Sequence, residues 1–390
     1  MNYFLTGRNE KVVLLLIFVL SLFVYTRDLG SFGIEFRDDE VFYYQSSREM
    51  LEAKNYLSPT YFGKNRFEKP ILFYWMVIAA FKALGINWIS ARIISVIFAS
   101  LTACLIYVLA KELYGRREAF LSSLILMSVP LFFRHAKNVV PDMTLVFFIS
   151  LAMYALIKNV KHANGKYSLL FFASCGIGFM IKGYSALIIP FLALISYLIA
   201  EKDLTAIRDL KPLRGIIILA LIISPWFIYM FLRHGNDYVN HMIVTETKNR
   251  VLASSDGWHF FSWAQMFLSH LTFYLRTILS YFAPWGLFFF LGCITINFKR
   301  LDSGHKLLFL WTLITFLFFS SIYFRINHYL LTIAVPFSII ASAYLSTDNQ
   351  GRILYIAVKF ILRLAFAIAG FIVLFLFLYI SDESKYNIAF

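Results

Sequence analysis

The run ILFYWMVIAAF, residues 71–81, decides how this chain is threaded through a membrane. It is apolar throughout but only 11 residues long, and Lys82 closes it. A helix needs about 17 to 25 apolar residues to cross a bilayer, so this run is predicted to lie at the membrane interface. A crossing here would move every later loop to the opposite side, so the orientation of the remaining chain depends on this run.

Apolar runs of spanning length occur on both sides of this short one. The chain has 390 residues, of which 60% are hydrophobic and 15% charged, and its mean hydropathy is +0.71. A soluble domain is about half apolar and about a quarter charged, so the composition indicates an all-α integral membrane protein. We predict about 11 transmembrane helices. They lie at residues 12–26, 92–110, 119–133, 143–158, 167–181, 183–200, 214–233, 276–297, 306–323, 329–346 and 353–380.

The basic residues decide the orientation. If residues 71–81 do not cross, the basic loops at residues 111–117, 158–166, 202–214 and 299–306 all share the side of the N-terminus. The positive-inside rule makes that side cytoplasmic. The external side then receives two long loops, at about residues 27–91 and 234–276. The net charge of +14 could suggest nucleic acid as a partner, but the basic residues lie mostly in these short loops, where they orient the chain and meet anionic headgroups. Nucleic acid is therefore not an expected partner.

The chain is predicted to form one membrane-embedded domain, residues 1–390, with no C-terminal soluble domain. Its cysteines, Cys104, Cys175 and Cys293, lie inside apolar runs without the close spacing of a metal site, which favours small core residues. The sequence has no repeated half of the kind that many transporters show. This favours an enzyme over a transporter.

The first external loop contains an acidic helix start. The string RDDEVFYYQSSREML, residues 37–51, places Asp38, Asp39 and Glu40 in the first turn of a predicted helix. Acids there complement the helix dipole by about 0.3–1 kcal/mol, so dipole compensation and a catalytic role both stay open. Further along, RFEKP holds Glu68 and Lys69 at the headgroup level, where a lipid phosphate would lie.

Six ordered motifs resemble one enzyme family. They are Asp39-Glu40, SREMLEAKNYLSP, FGKNRFEKPILFYW, KELYGRR, VPDMTL and IKGYSALIIP. In this order they are similar to the polyprenyl-phosphate-sugar-dependent glycosyltransferases of the GT-C superfamily, a group that includes the lipid A aminoarabinose transferase and the protein O-mannosyltransferases. The resemblance covers roughly the first half of the chain. It implies the GT-C fold, with juxtamembrane helices and a catalytic Asp-Glu pair in the long first external loop.

Moving a sugar from a phosphate carrier to a hydroxyl requires a base and positive charge on the departing phosphate. The resemblance implies that Asp39 is the base of a single inverting displacement, with Glu40 as its pair partner. The family usually has proline before this pair, so Asp38 stays open as a second base or a helix cap. Asp142 matches a second family acid, and an N-cap for a helix from Met143 explains it equally well.

Three cations on the external side are candidates for the carrier phosphate: Lys69, Arg325 and Lys182. Long cationic side chains can reach a headgroup anion while their stems stay in apolar surroundings. Snorkelling to the interface is the alternative for all three and is favoured for Lys182. The resemblance also implies a divalent metal, Zn or Mg, held by Glu68 and His259, although two ligands are sparse for structural zinc.

The sequence therefore predicts an inverting glycosyltransferase in the cell inner membrane, with a cytoplasmic N-terminus and a periplasmic active site. Its predicted partners are a polyprenyl-phosphate-linked sugar donor, with undecaprenyl phosphate as carrier, a lipid or glycan acceptor, and membrane lipids. Lipid A or a lipopolysaccharide core is the predicted acceptor. The alternatives are a transporter or flippase of a lipid-linked substrate and a protein O-glycosyltransferase.

Overall fold

The computed structural model describes residues 7–31, 38–202, 204–242, 245 and 260–346, and these ranges are mostly helical. The chain divides into two compact units, residues 1–342 and 343–390, and only residues 343–346 of the second are described. In chain order the elements are α1 (Gly7–Thr26), α2 (Asp38–Glu52), β1 (Thr60–Tyr61), β2 (Lys64–Asn65), α3 (Leu72–Leu84), α4 (Trp88–Leu113), α5 (Arg116–Ser128), α6 (Pro130–Ala136), α7 (Asp142–His162), α8 (Gly165–Lys182), α9 (Ser185–Glu201), α10 (Thr205–Leu210), α11 (Pro212–Asn240), α12 (Phe260–Tyr281), α13 (Gly286–Thr295), a 3-10 turn (Phe298–Arg300), α14 (Ser303–Ser321), a 3-10 helix (Asn327–Ile333) and α15 (Ala334–Leu345).

The helices confirm an integral membrane protein but not the predicted number of spans. In the described ranges, five helical segments are long and apolar enough to cross a membrane by length and composition, and two bent pairs raise this to seven. The apolar helices α3 and α9 are shorter than these candidate spans. The predicted count of 11 is therefore not confirmed, and the predicted span at residues 353–380 lies outside the described residues.

Two segments predicted as single spans are bent pairs of helices. Residues 119–133 form α5 and α6, which meet at 69°, and residues 276–297 contain the end of α12 and all of α13, bent by 119°. Proline lacks the backbone N–H of a continuous helix and disfavours helical geometry in the residue before it. Val129, before Pro130, is accordingly extended. Hydropathy alone does not register such a bend, because both halves stay apolar.

The predicted second external loop, residues 234–276, contains helical structure at both ends. α11 continues to Asn240 and α12 begins at Phe260. The predicted bounds of the external loop stay a prediction. Gly235 interrupts α11 with φ 56° and ψ −136°, a conformation that favours glycine. Polar residues in these helix ends lowered their apparent hydropathy without preventing a helix.

The short apolar run that decided the predicted threading is α3. Its 13 residues span about 20 Å at the helical rise of ~1.5 Å per residue, against about 30 Å of bilayer core. Gly85 ends the helix with φ +83°, and Asn87 then starts α4 through a capping box with Ser90. Tyr74 on α3 is fully buried. The length of α3 thus agrees with a helix that does not cross.

Close packing of α8 against its neighbours positions the site. A Cβ added at Gly178 would lie 2.8 Å from the Ala186 side chain on α9, and one at Gly176 would lie 3.1 Å from Ile222 on α11. Small residues let membrane helices approach closely in this way. α7 and α8 follow each other through a short turn, so the end of α8 lies near the beginning of α7.

Candidate active site

A buried ion pair fixes the acidic helix α2. The Glu40 carboxylate is fully buried and accepts hydrogen bonds from Nε and Nη2 of Arg92, at 3.1 and 3.0 Å. The backbone N–H of Val139 donates a third, at 2.7 Å. Nη1 of Arg92 donates to the carbonyls of Leu29 and Ser31. Because its carboxylate is engaged on both oxygens, Glu40 anchors α2 to α4 and to the segment before α7.

Asp39 lies on a different face of α2. It is exposed, whereas the adjacent Glu40 is buried. Residues three and four apart share a helix face, so Asp39 shares its face with Phe42 and Tyr43. The Glu40 ion pair fixes the rotation of α2 and therefore the direction in which Asp39 projects. The side chain of Asp38 lies outside the described part of the chain.

Asp142 and Lys182 form a second buried ion pair, between the start of α7 and the end of α8. Their Oδ1 and Nζ atoms are 2.6 Å apart. Pro141, not Asp142, occupies the N-cap position of α7, and the Lys182 side chain is only 14% exposed. The N-cap explanation of Asp142 and the snorkelling explanation of Lys182 are therefore both wrong, because the two residues pair with each other.

Two histidines join this ion pair. His135 on α6 and His328 in the 3-10 helix have ring centroids 5.6 Å apart, and both imidazoles act electrostatically on the Asp142 carboxylate. His328, Asp142 and Lys182 line a small cavity of about 40 Å³. A cavity of this size is large enough to hold a water molecule. The bent pair α5 and α6 brings His135 to this position.

Tyr43 links the two carboxylates. Burial raises the pKa of Tyr43 well above its ordinary value, the neighbouring Tyr74 phenol raises it further, and so do the Asp142 and Asp39 carboxylates, whereas Arg66 lowers it. The carboxylates of Asp39 and Asp142, far apart in sequence, are thus both among the charges that act on this phenol.

The RFEKP segment adds a third charged group. The Arg66 guanidinium lies 4.4 Å from the ring centroid of Phe42, and its Nε donates to the Tyr74 hydroxyl at 3.2 Å. The same Nε is 3.4 Å from Oε2 of Glu68. Lys69 donates to the Glu68 backbone carbonyl at 2.8 Å. Arg66, which the sequence analysis passed over, therefore connects this segment to α2.

The predicted metal site is only half described. His259 lies outside the described residues, and the Glu68 carboxylate lies beside the Arg66 cation, which competes with a metal for its charge. Within the described ranges, no group of three or more His, Cys, Asp or Glu side chains is placed to hold a metal ion. The described residues do not fit a metal by themselves, and metal binding stays a prediction.

Arg325 is exposed and packs against α12. Its Nη1 donates to the Ser269 hydroxyl at 3.0 Å, and its guanidinium lies 5.0 Å from the ring centroid of Phe273. His328, which lines the small cavity, follows within one helical turn. Arg325 thus lies three residues before a histidine that lines the Asp142 cavity.

The chain resembles known glycosyltransferases in sequence. A family model described as dolichyl-phosphate-mannose-protein mannosyltransferase matches residues 68–229. Two relatives are named undecaprenyl phosphate-alpha-4-amino-4-deoxy-L-arabinose arabinosyl transferase 2. The one from Pseudomonas fluorescens is 29% identical and matches over 89% of this chain and 62% of its own length. The one from Proteus mirabilis is 28% identical, over 87% and 60%.

The solved structure of ArnT from Cupriavidus metallidurans bound to undecaprenyl phosphate has the same fold. It superposes with a TM-score of 0.73 at 20% identity, over 87% of this chain and 60% of that one. The chain is therefore similar in sequence to these glycosyltransferases and shares the membrane fold of ArnT. These matches confirm the family resemblance of the six motifs. The chain spans about three fifths of the length of the arabinosyltransferases that it matches.

The sequence patterns did not point to several residues of this candidate site. Arg92 carried a usable signal, because it is a charged residue at the start of a predicted span, and such residues are rarely placed there without a partner. His135 and His328 gave no signal, since their proximity depends on the bend between α5 and α6. Tyr43 looked like one of many aromatic residues on α2.

Proposed function

We propose that this chain transfers a sugar from an undecaprenyl-phosphate carrier to a hydroxyl of a glycolipid on the external side of the inner membrane. The observation that carries the proposal is the arrangement on α2, where an exposed carboxylate, Asp39, adjoins a fully buried one, Glu40, locked by Arg92. A base that must meet an incoming hydroxyl requires both access and a fixed direction.

The reaction is a single displacement. Asp39 accepts the proton of the acceptor hydroxyl, and the hydroxyl oxygen forms a bond to the anomeric carbon from the face opposite the phosphate. The bond between that carbon and the phosphate oxygen breaks, and its electron pair goes to the phosphate. The products are a glycoside of inverted configuration and the free lipid phosphate. Phosphate is a fair leaving group, so the site needs cations more than a general acid.

Glu40 acts in this proposal as a positioning residue. Its two oxygens accept three hydrogen bonds from Arg92 and Val139, so it holds α2 and does not itself take the proton. The pairing of Asp39 and Glu40 in sequence then has a physical reason. One carboxylate reacts and the next one fixes the helix that presents it.

The cations Lys69, Lys182 and Arg325 are proposed to neutralise the carrier phosphate. Of these three cations, Lys182 is the best supported, because its side chain is only 14% exposed and Asp142 holds its ammonium group at 2.6 Å. An ammonium has three N–H donors, so pairing with one carboxylate oxygen leaves donors for a phosphate oxygen. Arg325 lies exposed at the outer end of the same region, where a headgroup anion can be met.

A divalent metal enters the proposal only as a bound ion at Glu68 and His259. Metal analysis of the purified chain, compared with His259→Ala, tests it directly. Stoichiometric zinc or magnesium that is lost in the variant supports the site. Equal metal content in both proteins removes it. No step of the displacement above depends on the outcome.

The resemblance of the six motifs to the lipid A aminoarabinose transferase favours a glycolipid acceptor over a protein. The relatives that match most of this chain are named for an undecaprenyl-phosphate-linked aminoarabinose, which agrees with the proposed carrier. The mannosyltransferase family model, over residues 68–229, favours a protein acceptor as the second candidate. Separating labelled products into lipid and protein fractions decides between these two acceptor classes.

The test is transfer of radiolabelled sugar from a panel of undecaprenyl-phosphate sugars to host membranes by wild type and Asp39→Asn. We expect product with one donor, lost in the variant. Glu52→Gln is the matched control, since it removes an exposed carboxylate of the same helix, which forms an ion pair with the exposed Arg48. Equal product in wild type and Asp39→Asn removes Asp39 as the base, and no transfer from any donor overturns the proposed function.

A further inference from the structure

A two-residue hairpin beside α2 presents an aromatic side chain to the outside at a cost in backbone strain. β1 and β2 pair antiparallel through Tyr61 and Lys64, and the turn between them is Phe62-Gly63. Phe62 has φ +48° and is 70% exposed. A turn of this kind favours asparagine or glycine at its first position, and a bulky side chain there is strained. The hairpin therefore keeps an unfavourable residue at its tip.

A carboxylate of α2 holds the strained turn in place. Glu49 accepts hydrogen bonds from the backbone N–H groups of Phe62 and Gly63, at 2.7 and 3.2 Å, and from the Thr60 hydroxyl at 2.7 Å. These bonds fix the turn to the same helix that carries Asp39. Backbone strain that the surroundings actively maintain is characteristic of functional positions.

The rings of this hairpin continue a row that starts at the site. Phe42, on the Asp39 face of α2, is 4.9 Å from Tyr61, and Tyr61 is 4.6 Å from Phe62, both measured between ring centroids. The Arg66 guanidinium lies over Phe42 at 4.4 Å. The row leads from the half-buried Phe42 beside the proposed base to the exposed Phe62.

Basic side chains lie beside this row of aromatic rings. Tyr61 and Lys64 are directly opposite in the hairpin and therefore share one face, and Lys64 is exposed. Arg66, two residues beyond Lys64, lies on that face as well, 5.9 Å from the Tyr61 ring centroid. The face thus combines aromatic rings with basic groups. Pyranose rings stack through their C–H faces on aromatic rings, and basic side chains bind phosphate or carboxylate substituents.

The position of the aromatic row relative to Asp39 indicates which substrate the row contacts. The proposed donor side contains Asp142, whose carboxylate acts on Tyr43, and Lys182, whose Nζ lies 2.6 Å from Asp142. The acceptor hydroxyl has to approach Asp39 from a direction that is open to the surface. The row of Phe42, Tyr61 and Phe62 leads from the surface toward Asp39 and therefore suits this approach.

We infer that Phe42, Tyr61, Phe62 and Lys64 form an acceptor subsite that stacks a pyranose of an anionic glycolipid. This inference rests on the proposed function and names the substrate contact at the same site. The alternative occupant of an exposed Phe62 is the membrane surface itself, which would require only lipophilicity.

Phe62 variants separate these possibilities in a transfer assay with the host glycolipid fraction as acceptor, intact or chemically deacylated. We expect Phe62→Leu to raise the acceptor KM about tenfold, because it keeps lipophilicity but loses the stacking ring, whereas Phe62→Tyr stays within about twofold of wild type. The rise is expected with the intact and the deacylated acceptor. The donor KM and kcat stay unchanged.

Two further variants distinguish a loss of acceptor binding from a loss of folding stability. Phe62→Asn suits the turn better than phenylalanine, so we expect higher thermal stability together with a raised acceptor KM. Lys64→Gln should raise the acceptor KM and weaken its salt dependence. Wild-type KM in Phe62→Leu, or a change confined to the intact acceptor, overturns the stacking inference in favour of membrane contact. Absence of transfer by the wild type instead overturns the proposed function.

Discussion

Glu40 and Arg92 form a fully buried, two-point ion pair although they lie 52 positions apart in the chain. The Glu40 side chain is 0% exposed and the Arg92 side chain 7%. The pair joins the start of α2 to the start of α4, and the remaining donors of Arg92 reach the segment after α1. The direction of Asp39 therefore depends on a contact made by its neighbour.

Removing one partner of this pair should destabilise the protein severely. Glu40→Ala leaves the Arg92 charge buried without its carboxylate, and breaking a buried pair in this way costs about 3–5 kcal/mol. Thermal unfolding in detergent measures the effect. The double variant Glu40→Met/Arg92→Met should unfold at a higher temperature than either single variant, since it buries no unpaired charge.

The exposed pair Arg48 and Glu52 on the same helix is the control. Its side chains are 47% and 52% exposed, and Glu52→Ala should change the free energy of unfolding by less than about 1 kcal/mol. Similar losses in Glu40→Ala and Glu52→Ala would contradict the assigned anchoring role of Glu40.

Lys182→Met should weaken binding of the sugar donor. The ammonium, held at 2.6 Å by Asp142, is proposed to meet the carrier phosphate, so we expect a donor KM raised about tenfold or more, with the acceptor KM unchanged. Asp142→Asn keeps the cation but loosens its position and should have a smaller effect. Steady-state kinetics with varied donor measures both.

Lys202→Met is the matched control for Lys182→Met, because Lys202 is exposed in the turn after α9. It should leave both KM values unchanged. A donor KM that is unaffected in Lys182→Met would remove this lysine from the phosphate site and leave Lys69 and Arg325.

The hairpin should loosen at low pH through Glu49. Partial burial raises the pKa of this carboxyl, but hydrogen bonds from Thr60, Gln45 and the backbone N–H groups of Gly63 and Phe62 outweigh it and lower the pKa below its ordinary 4.5. The stabilisation is therefore fully present above pH 4.5 and is lost as the pH falls through the lowered folded-state pKa.

An environment-sensitive fluorophore on Lys64→Cys reports this transition. We expect a spectral change that begins only below about pH 4.5, and a signal in the added Glu49→Gln variant that stays constant over the same pH range. A transition near neutral pH would show that another group controls the hairpin.

The orientation predicted from the basic loops can be measured by labelling. Lys64→Cys should react with a membrane-impermeant maleimide in intact cells, and Lys202→Cys only after permeabilisation, because the two positions are predicted to face opposite sides. The opposite pattern would invert the whole chain, and reaction of both positions from the same side would place α3 across the membrane.

The sequence alone predicted the membrane class, the short α3 and the acidic start of α2, because hydropathy, run length and helix-start signals are local properties. It also supplied the family, through motifs such as FEKP and VPDM that are contiguous in the chain. It predicted one straight span at residues 119–133, where α5 and α6 are bent at Pro130, because both sides of the bend are apolar.

Only the tertiary structure decided which charges meet. Glu40 pairs with Arg92 and Asp142 with Lys182 because helix packing brings residues 52 and 40 positions apart within hydrogen-bonding distance. Burying a charge is tolerated only with a partner, so folding selects these pairs, but the partner's identity depends on the path of the whole chain. The sequence therefore supplied the acids of the site, and the packed helices determined that Asp39 is exposed while Glu40 is held.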